Sequence, residues 1–194
     1  MVLEASDPSF LAVNIRPHEL WSLPEANDFR NFYYRFLHRI ASKATPENPF
    51  TAIEVGTYLG TATAHLAANT SCNVHTIELN NDLINQAKRL HKGAGILDGR
   101  TTFHWGDSIA CLTNAITMRV CPDLIFIDGE HSHSRVTDEA DLAALLAADG
   151  VVLFDDLLLN DDMKRFWSEL PGEKLELHHL HYTGFGAWWP GGGE

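Results

Sequence analysis

From Thr51 onward, short β-rich apolar runs alternate with longer stretches in which apolar residues recur at helical spacing. The strand candidates are Thr51–Val55, Asn73–Leu79, Arg100–Trp105, Asp123–Asp128 and Gly150–Asp155. Between and after them the 3.6-residue pattern predicts helices at Thr61–Asn69, Asp82–Lys92, Ser108–Met118, Ser134–Ala147 and Asp161–Leu170. This alternation is that of an α/β fold, a doubly wound, mostly parallel sheet with helices on both faces. Asp123–Asp128 and Val151–Phe154 are apolar throughout their interiors rather than alternating, as a strand must be when both its faces are covered, so they belong at the centre of the sheet.

The two ends of the chain read differently. After Pro171-Gly172, the aromatic-rich runs Lys174–Tyr182 and Phe185–Trp189, separated by Thr183-Gly184, predict an antiparallel C-terminal strand pair. Asp28–Ser42 carries Phe29, Phe32, Tyr33, Phe36, Leu37 and Ile40 at the spacing of an amphipathic helix, closed by Thr45-Pro-Glu-Asn-Pro49. Pro17 and Pro24 make Met1–Ala26 an extended arm. The expected organisation is an arm and capping helix over residues 1–50 and one domain over residues 51–194.

Composition narrows the partners. With 194 residues, 45% of them hydrophobic, the chain can bury a core without a disulfide frame or a structural metal. A net charge of −12 repels a phosphate backbone, and no Lys/Arg cluster offsets it, which excludes nucleic acid as the main partner. No apolar run approaches a membrane span, and Met1–Phe10, with Glu4 and Asp7, lacks the blocks of a signal peptide; the expected location is the cytoplasm. Cys72, Cys111 and Cys121 are widely spaced and read as buried free thiols.

The chemistry of such a fold lies at the carboxyl ends of the strands. The first ends in Glu54-Val-Gly56-Thr-Tyr58-Leu-Gly60, a turn that is either a cradle for an anionic group at a helix N-terminus or an ordinary strand-to-helix connection. The second ends at Glu78, positioned to accept two ribose hydroxyls or to stand solvated. The third ends in Asp107-Ser108, where Asp107 suits an adenine amine or a plain N-cap. The fourth and fifth end in Asp128-Gly-Glu-His131-Ser-His133 and Asp155-Asp156. Hard carboxylate oxygens with no thiolate nearby suit Mg²⁺, Ca²⁺ or Mn²⁺, the alternative being solvated strand-end acids and helix caps. His131 suits a general base, and His133 a helix cap or a ligand-facing neighbour. In Leu177-His178-His179-Leu180-His181, strand alternation sends His179 and His181 to one face and His178 to the other, which predicts a solvated edge. Trp188-Trp189, Trp21 and Phe29 to Phe36 either close over an acceptor or pack in a core, and an exposed aromatic tail would suit a homodimer interface.

Taken in order, Glu54-Val-Gly56-Thr-Tyr58-Leu-Gly60, Glu78, Gly106-Asp107-Ser108, Asp128-Gly-x-His131 and Gly150-Val-Val-Leu-Phe-Asp155-Asp156 resemble the class I S-adenosylmethionine-dependent methyltransferases, and among them the metal-dependent O-methyltransferases of the catechol and macrolide-sugar types. The resemblance covers Ile53 to Leu158 and implies a seven-stranded, Rossmann-like sheet. It further implies that Gly56, Tyr58 and Gly60, with Glu54 on the same segment, bind the methionine part of the cofactor, that Glu78 binds the ribose, and that Asp107 and Ser108 lie beside the adenine. Asp128, Asp155 and Asp156 would hold Mg²⁺, with His131 as general base. Catechol enzymes carry lysine where His131 stands and usually asparagine where Asp156 stands, so both positions are similar to the sugar-modifying branch. The short region ahead of the first strand argues against a large macrolide and for a small-molecule acceptor, sugar-like or a vicinal diol. Two other readings share these residues: a metal-independent methyltransferase in which His131 works alone, and a non-catalytic module that binds a nucleoside.

Overall fold

The computed structural model describes residues 32–96 and 99–191. The expected arm over Met1–Ala26 and the first residues of the expected helix at Asp28 lie outside them. Helix α1 (Tyr33–Ala41) leads to β1 (Phe50–Val55), α2 (Thr61–Ala67), β2 (Cys72–Glu78), α3 (Asn81–Gly93), β3 (Thr101–Trp105) and α4 (Ser108–Thr117). There follow β4 (Leu124–Ile127), α5 (His133–Leu146), β5 (Val151–Asp155), α6 (Asp161–Glu169), β6 (Glu173–Glu176) and β7 (Phe185–Trp189). All the strands join one seven-stranded sheet in the order β3-β2-β1-β4-β5-β7-β6. β1 to β5 run parallel, and β7 inserts antiparallel between β5 and β6. The doubly wound, mostly parallel sheet with an antiparallel closing pair is therefore present as expected.

The unbroken apolar character of β4 is explained by its neighbours. Leu124 and Phe126 face the layer built from Phe36, Leu37 and Ile40 of α1 and Leu66 of α2. Ile125 and Ile127 face the opposite layer, with Leu112 of α4, Val136 of α5 and Phe166 of α6. All four side chains are buried, because a strand between two helical layers has no solvent face.

Two expectations fail in these elements. β6 stops at Glu176 instead of running to Tyr182, and Leu177 and Leu180 then turn inward and are buried. Cys72 is buried as expected, but Cys111 is only half-buried and Cys121 is exposed. Trp188 is buried, its indole N–H donating to the Pro171 carbonyl at 2.7 Å, which is the core-packing alternative for the aromatic tail. Among the described residues no helix is long and apolar enough to cross a membrane.

Candidate active site

Chain order reverses at β1, which lies between β2 and β4, and a crevice must open there above the strand ends because the connections leave in opposite directions. Gly56 ends β1 on one side of it and Asp128 ends β4 on the other. Gly56 has φ +95°, and a Cβ there would lie 2.0 Å from the Asp128 carbonyl oxygen, so only glycine lets the two strand ends approach so closely. The amides of Gly56 and Thr57 both donate to the Ile77 carbonyl, at 3.0 and 3.2 Å, and lash the turn to β2. Tyr58 follows at φ 46°, and its amide donates to Glu78 Oε2 at 3.0 Å while the Asn80 amide donates to Oε1 at 2.9 Å. Two backbone donors thus fix the Glu78 carboxylate at the tip of β2.

The crevice holds a cavity of about 520 Å³. Gly56, Tyr58, Glu78, Ser108, Asp128 and His131 line it, and Tyr33 and Tyr34 of α1 wall one side. The remaining sequence candidates lie outside this wall. Gly60 adopts φ +82° and packs against α3, where a Cβ would meet Ala87 and His91 at 2.8 and 2.9 Å. Glu54 is fully buried beneath the turn; Thr63 and Thr76 donate to its Oε2, while Oε1 has no partner. Asp107 caps α4, accepting from the Ala110 amide at 3.1 Å, and pairs with Arg135. The hydrogen bond from Arg135 and then the cap hold its carboxyl below the usual range. His133 bonds Glu169 at 2.8 Å on the helical surface, away from the cavity. Glu139 went unnoticed in the sequence: it is buried on α5, accepts from Ser108 and lies 3.4 Å from Arg135. The Arg135/Glu139 spacing of four residues on a helix was the available signal.

The acids at the ends of β4 and β5 converge. His131 Nε2 lies 3.2 Å from Asp156 Oδ2 and 3.7 Å from Asp128 Oδ1, yet it is buried without a hydrogen bond of acceptable geometry. Asp156 sits at φ 60°, a left-handed conformation that aspartate tolerates better than most residues. Asp155 is buried, and its Oδ1 accepts from the Asp156 amide at 2.8 Å and from His181 Nδ1 at 2.6 Å. His181 is therefore not on a solvated edge. Because β6 ends at Glu176, the alternation that would have turned it outward is lost; His179 alone of that histidine run is exposed.

The electrostatics are those of crowded, desolvated carboxylates partnered by two histidines. Desolvation and then Asp155 push the Asp128 pKa up, and desolvation likewise raises that of Asp155. Burial pulls His131 down, but Asp128, Asp156 and Asp155 together outweigh it and the net shift is upward. Asp128, His131 and Asp156 offer ligand atoms within 4.8 Å of one another, as do Asp155, Asp156 and His181. Oxygen and imidazole donors without thiolate fit a hard divalent cation.

No curated protein matches the sequence. Among solved structures, the chain is similar to the O-methyltransferase TomG from Streptomyces achromogenes, in complex with SAM, at 17% identity over 96% of this chain and 98% of that one, with a TM-score of 0.66. An O-methyltransferase from Bacillus cereus, in complex with SAH, matches at 17% identity over 91% and 93% of the chains, with a TM-score of 0.68. Cofactor-bound Rv0187 from MTB matches at 20% identity over 99% and 94%, also with a TM-score of 0.68. At such identities these likenesses concern the fold. A protein-family profile described as a methyltransferase domain matches residues 53–157, which is the stretch from β1 through the acid pair that builds the crevice. The chain belongs to this methyltransferase family.

Proposed function

We propose that the protein transfers the methyl group of S-adenosylmethionine to a hydroxyl of a small acceptor, sugar-like or a vicinal diol, with a divalent cation such as Mg²⁺ held by Asp128, Asp155 and Asp156. The observation that carries this reading is one cavity with two chemically distinct ends. Glu78, fixed by two amides, stands at the tip of β2, and Asp128 and His131, beside Asp156, stand at the tip of β4, with Gly56 on β1 between them. Glu78 offers two carboxylate oxygens to a vicinal diol of the donor's ribose. Gly56, without a Cβ, lets the ends of β1 and β4 close together in the wall of the cavity that would take the donor.

In the transfer the acceptor oxygen forms a bond to the methyl carbon as the sulfur–carbon bond breaks, and the hydroxyl proton goes to the His131 imidazole. The sulfonium is already activated, so the chain's contribution is to align the two reactants and receive that proton. Tyr33 and Tyr34 wall the cavity on one side. A bound cation would offset the carboxylates that raise the His131 pKa, and would lower the cost of the developing alkoxide. The description of several structural relatives as O-methyltransferases, and the Asp128-Gly-x-His131 spacing, support oxygen as the acceptor atom.

Calorimetry with S-adenosylhomocysteine, with and without EDTA, and Mn²⁺ titration followed by electron paramagnetic resonance test the two halves separately. Asp128→Asn should weaken Mn²⁺ at least about tenfold and leave the nucleoside affinity within about threefold. No nucleoside binding by the wild type would overturn the donor assignment; nucleoside binding with no Mn²⁺ uptake would overturn the metal.

A further inference from the structure

We infer that His181 is a positioning residue for the cation site, holding the Asp155 carboxylate in its ligating orientation; this rests on the proposed cation at Asp128, Asp155 and Asp156. Both hydrogen bonds to Asp155, from His181 Nδ1 at 2.6 Å and from the Asp156 amide at 2.8 Å, fall on Oδ1. Oδ2 is the oxygen left for a cation. A carboxylate held by one backbone amide can still turn about its side-chain bonds, whereas a second donor on the same oxygen fixes the rotamer. For Nδ1 to donate to a carboxylate it must carry the proton, which sets the tautomer, and Thr183 Oγ1 at 3.0 Å accepts from the same N–H.

The imidazole is itself held from several sides. The Tyr33 ring packs against it at 4.9 Å between centroids, and the Tyr33 amide donates to the Leu180 carbonyl at 3.1 Å. The Gly184 amide donates to the His181 carbonyl at 3.0 Å. Gly184 in turn lies so close to Leu158 that a Cβ there would come within 2.7 Å of its side chain, and the Leu157 amide donates to the Gly184 carbonyl at 3.2 Å. The segment after β6 is thereby pinned to the chain that leaves β5, which is the chain carrying Asp155 and Asp156. A solvated edge histidine would make none of these contacts; together they hold the imidazole against the Asp155 carboxylate.

The test uses Mn²⁺ and the full-length protein without donor or acceptor. His181→Phe keeps a ring against Tyr33 but removes the donor, and should weaken Mn²⁺ binding ten- to a hundredfold by electron paramagnetic resonance, the usual effect of losing such an outer partner. His181→Asn puts an amide N–H where Nδ1 stood and should return the affinity to within about threefold of wild type. Equal losses in the two variants, or no loss in either, overturn the inference while leaving the cation site standing. Nitrogen hyperfine coupling to bound Mn²⁺ that disappears in H181N makes His181 a ligand and also overturns it. A wild type that takes up no Mn²⁺ overturns the cation site and this inference together. If H181F does not fold, His181→Gln, whose amide is displaced by one methylene, is read in its place and should show the same loss.

Discussion

Glu54 provides the sharpest quantitative test of the structure. Its carboxyl is fully buried, and desolvation pushes its pKa from 4.5 to about 8, with Asp128 and Glu78 adding to the shift and hydrogen bonds from Thr63 and Thr76 opposing it. An acid whose pKa is raised in the folded state binds its proton there after the unfolded chain has released it. Stability therefore falls as pH rises between about 4.5 and 8, and is constant above that window. At about 1.36 kcal/mol per pH unit, the ionised group costs the fold roughly 3 kcal/mol at pH 7 and on the order of 5 kcal/mol above pH 8. Against a total stability of about 5–15 kcal/mol that is a large fraction. Glu54→Gln removes the titration: the amide oxygen can still accept from Thr63 and Thr76, and nothing ionises. The variant should match wild type near pH 4.5 in urea denaturation and exceed it by several kcal/mol at pH 8.5. A difference between the two that does not grow across this window would refute the reasoning, because it would mean that Glu54 is solvated or has a partner for Oε1.

Gly56→Ala should destabilise the protein by at least about 1–3 kcal/mol from the left-handed backbone alone, and the contact with the Asp128 carbonyl should cut S-adenosylhomocysteine affinity measured by calorimetry. The conserved shape of the sheet elsewhere, checked by circular dichroism, separates this from global unfolding. Phe126→Ala should cost about 3–5 kcal/mol in the same urea assay, since Phe126 is fully buried between β-sheet and α1, whereas exposed Leu145→Ala should stay within about 0.5 kcal/mol.

Much of the site was legible because strand ends in a parallel α/β sheet are marked by an abrupt change from apolar to polar residues. Glu78, Asp128 and Asp155-Asp156 could be picked out on that basis, and the structure puts Glu78 and Asp128 in one cavity wall with His131. Glu139 and His181 were not legible. Glu139 lies mid-helix, where an acid is ordinarily a solvated surface residue, and only the packing of α4 on α5 encloses it with Ser108. The histidine run was misread because period-2 alternation applies only while the chain remains a strand, and Leu177 and Leu180 leave the sheet to fill the core beside α1.

The sequence by itself determined the α/β class, the central place of the strands at Asp123–Asp128 and Val151–Phe154, and the acidic character of one edge of the sheet. These follow from local period and from burial on two faces, which every residue reports through its own polarity. Only the tertiary structure decided which acids share a proton environment, which glycine faces the cavity and which packs a helix, and that a histidine from beyond β6 reaches Asp155. Those outcomes depend on strand order, and the insertion of β7 beside β5 pairs Phe185 with Asp155 across some thirty positions of chain. No local pattern encodes such a pairing; it is set by which arrangement buries the most apolar surface while leaving the fewest polar groups unmatched.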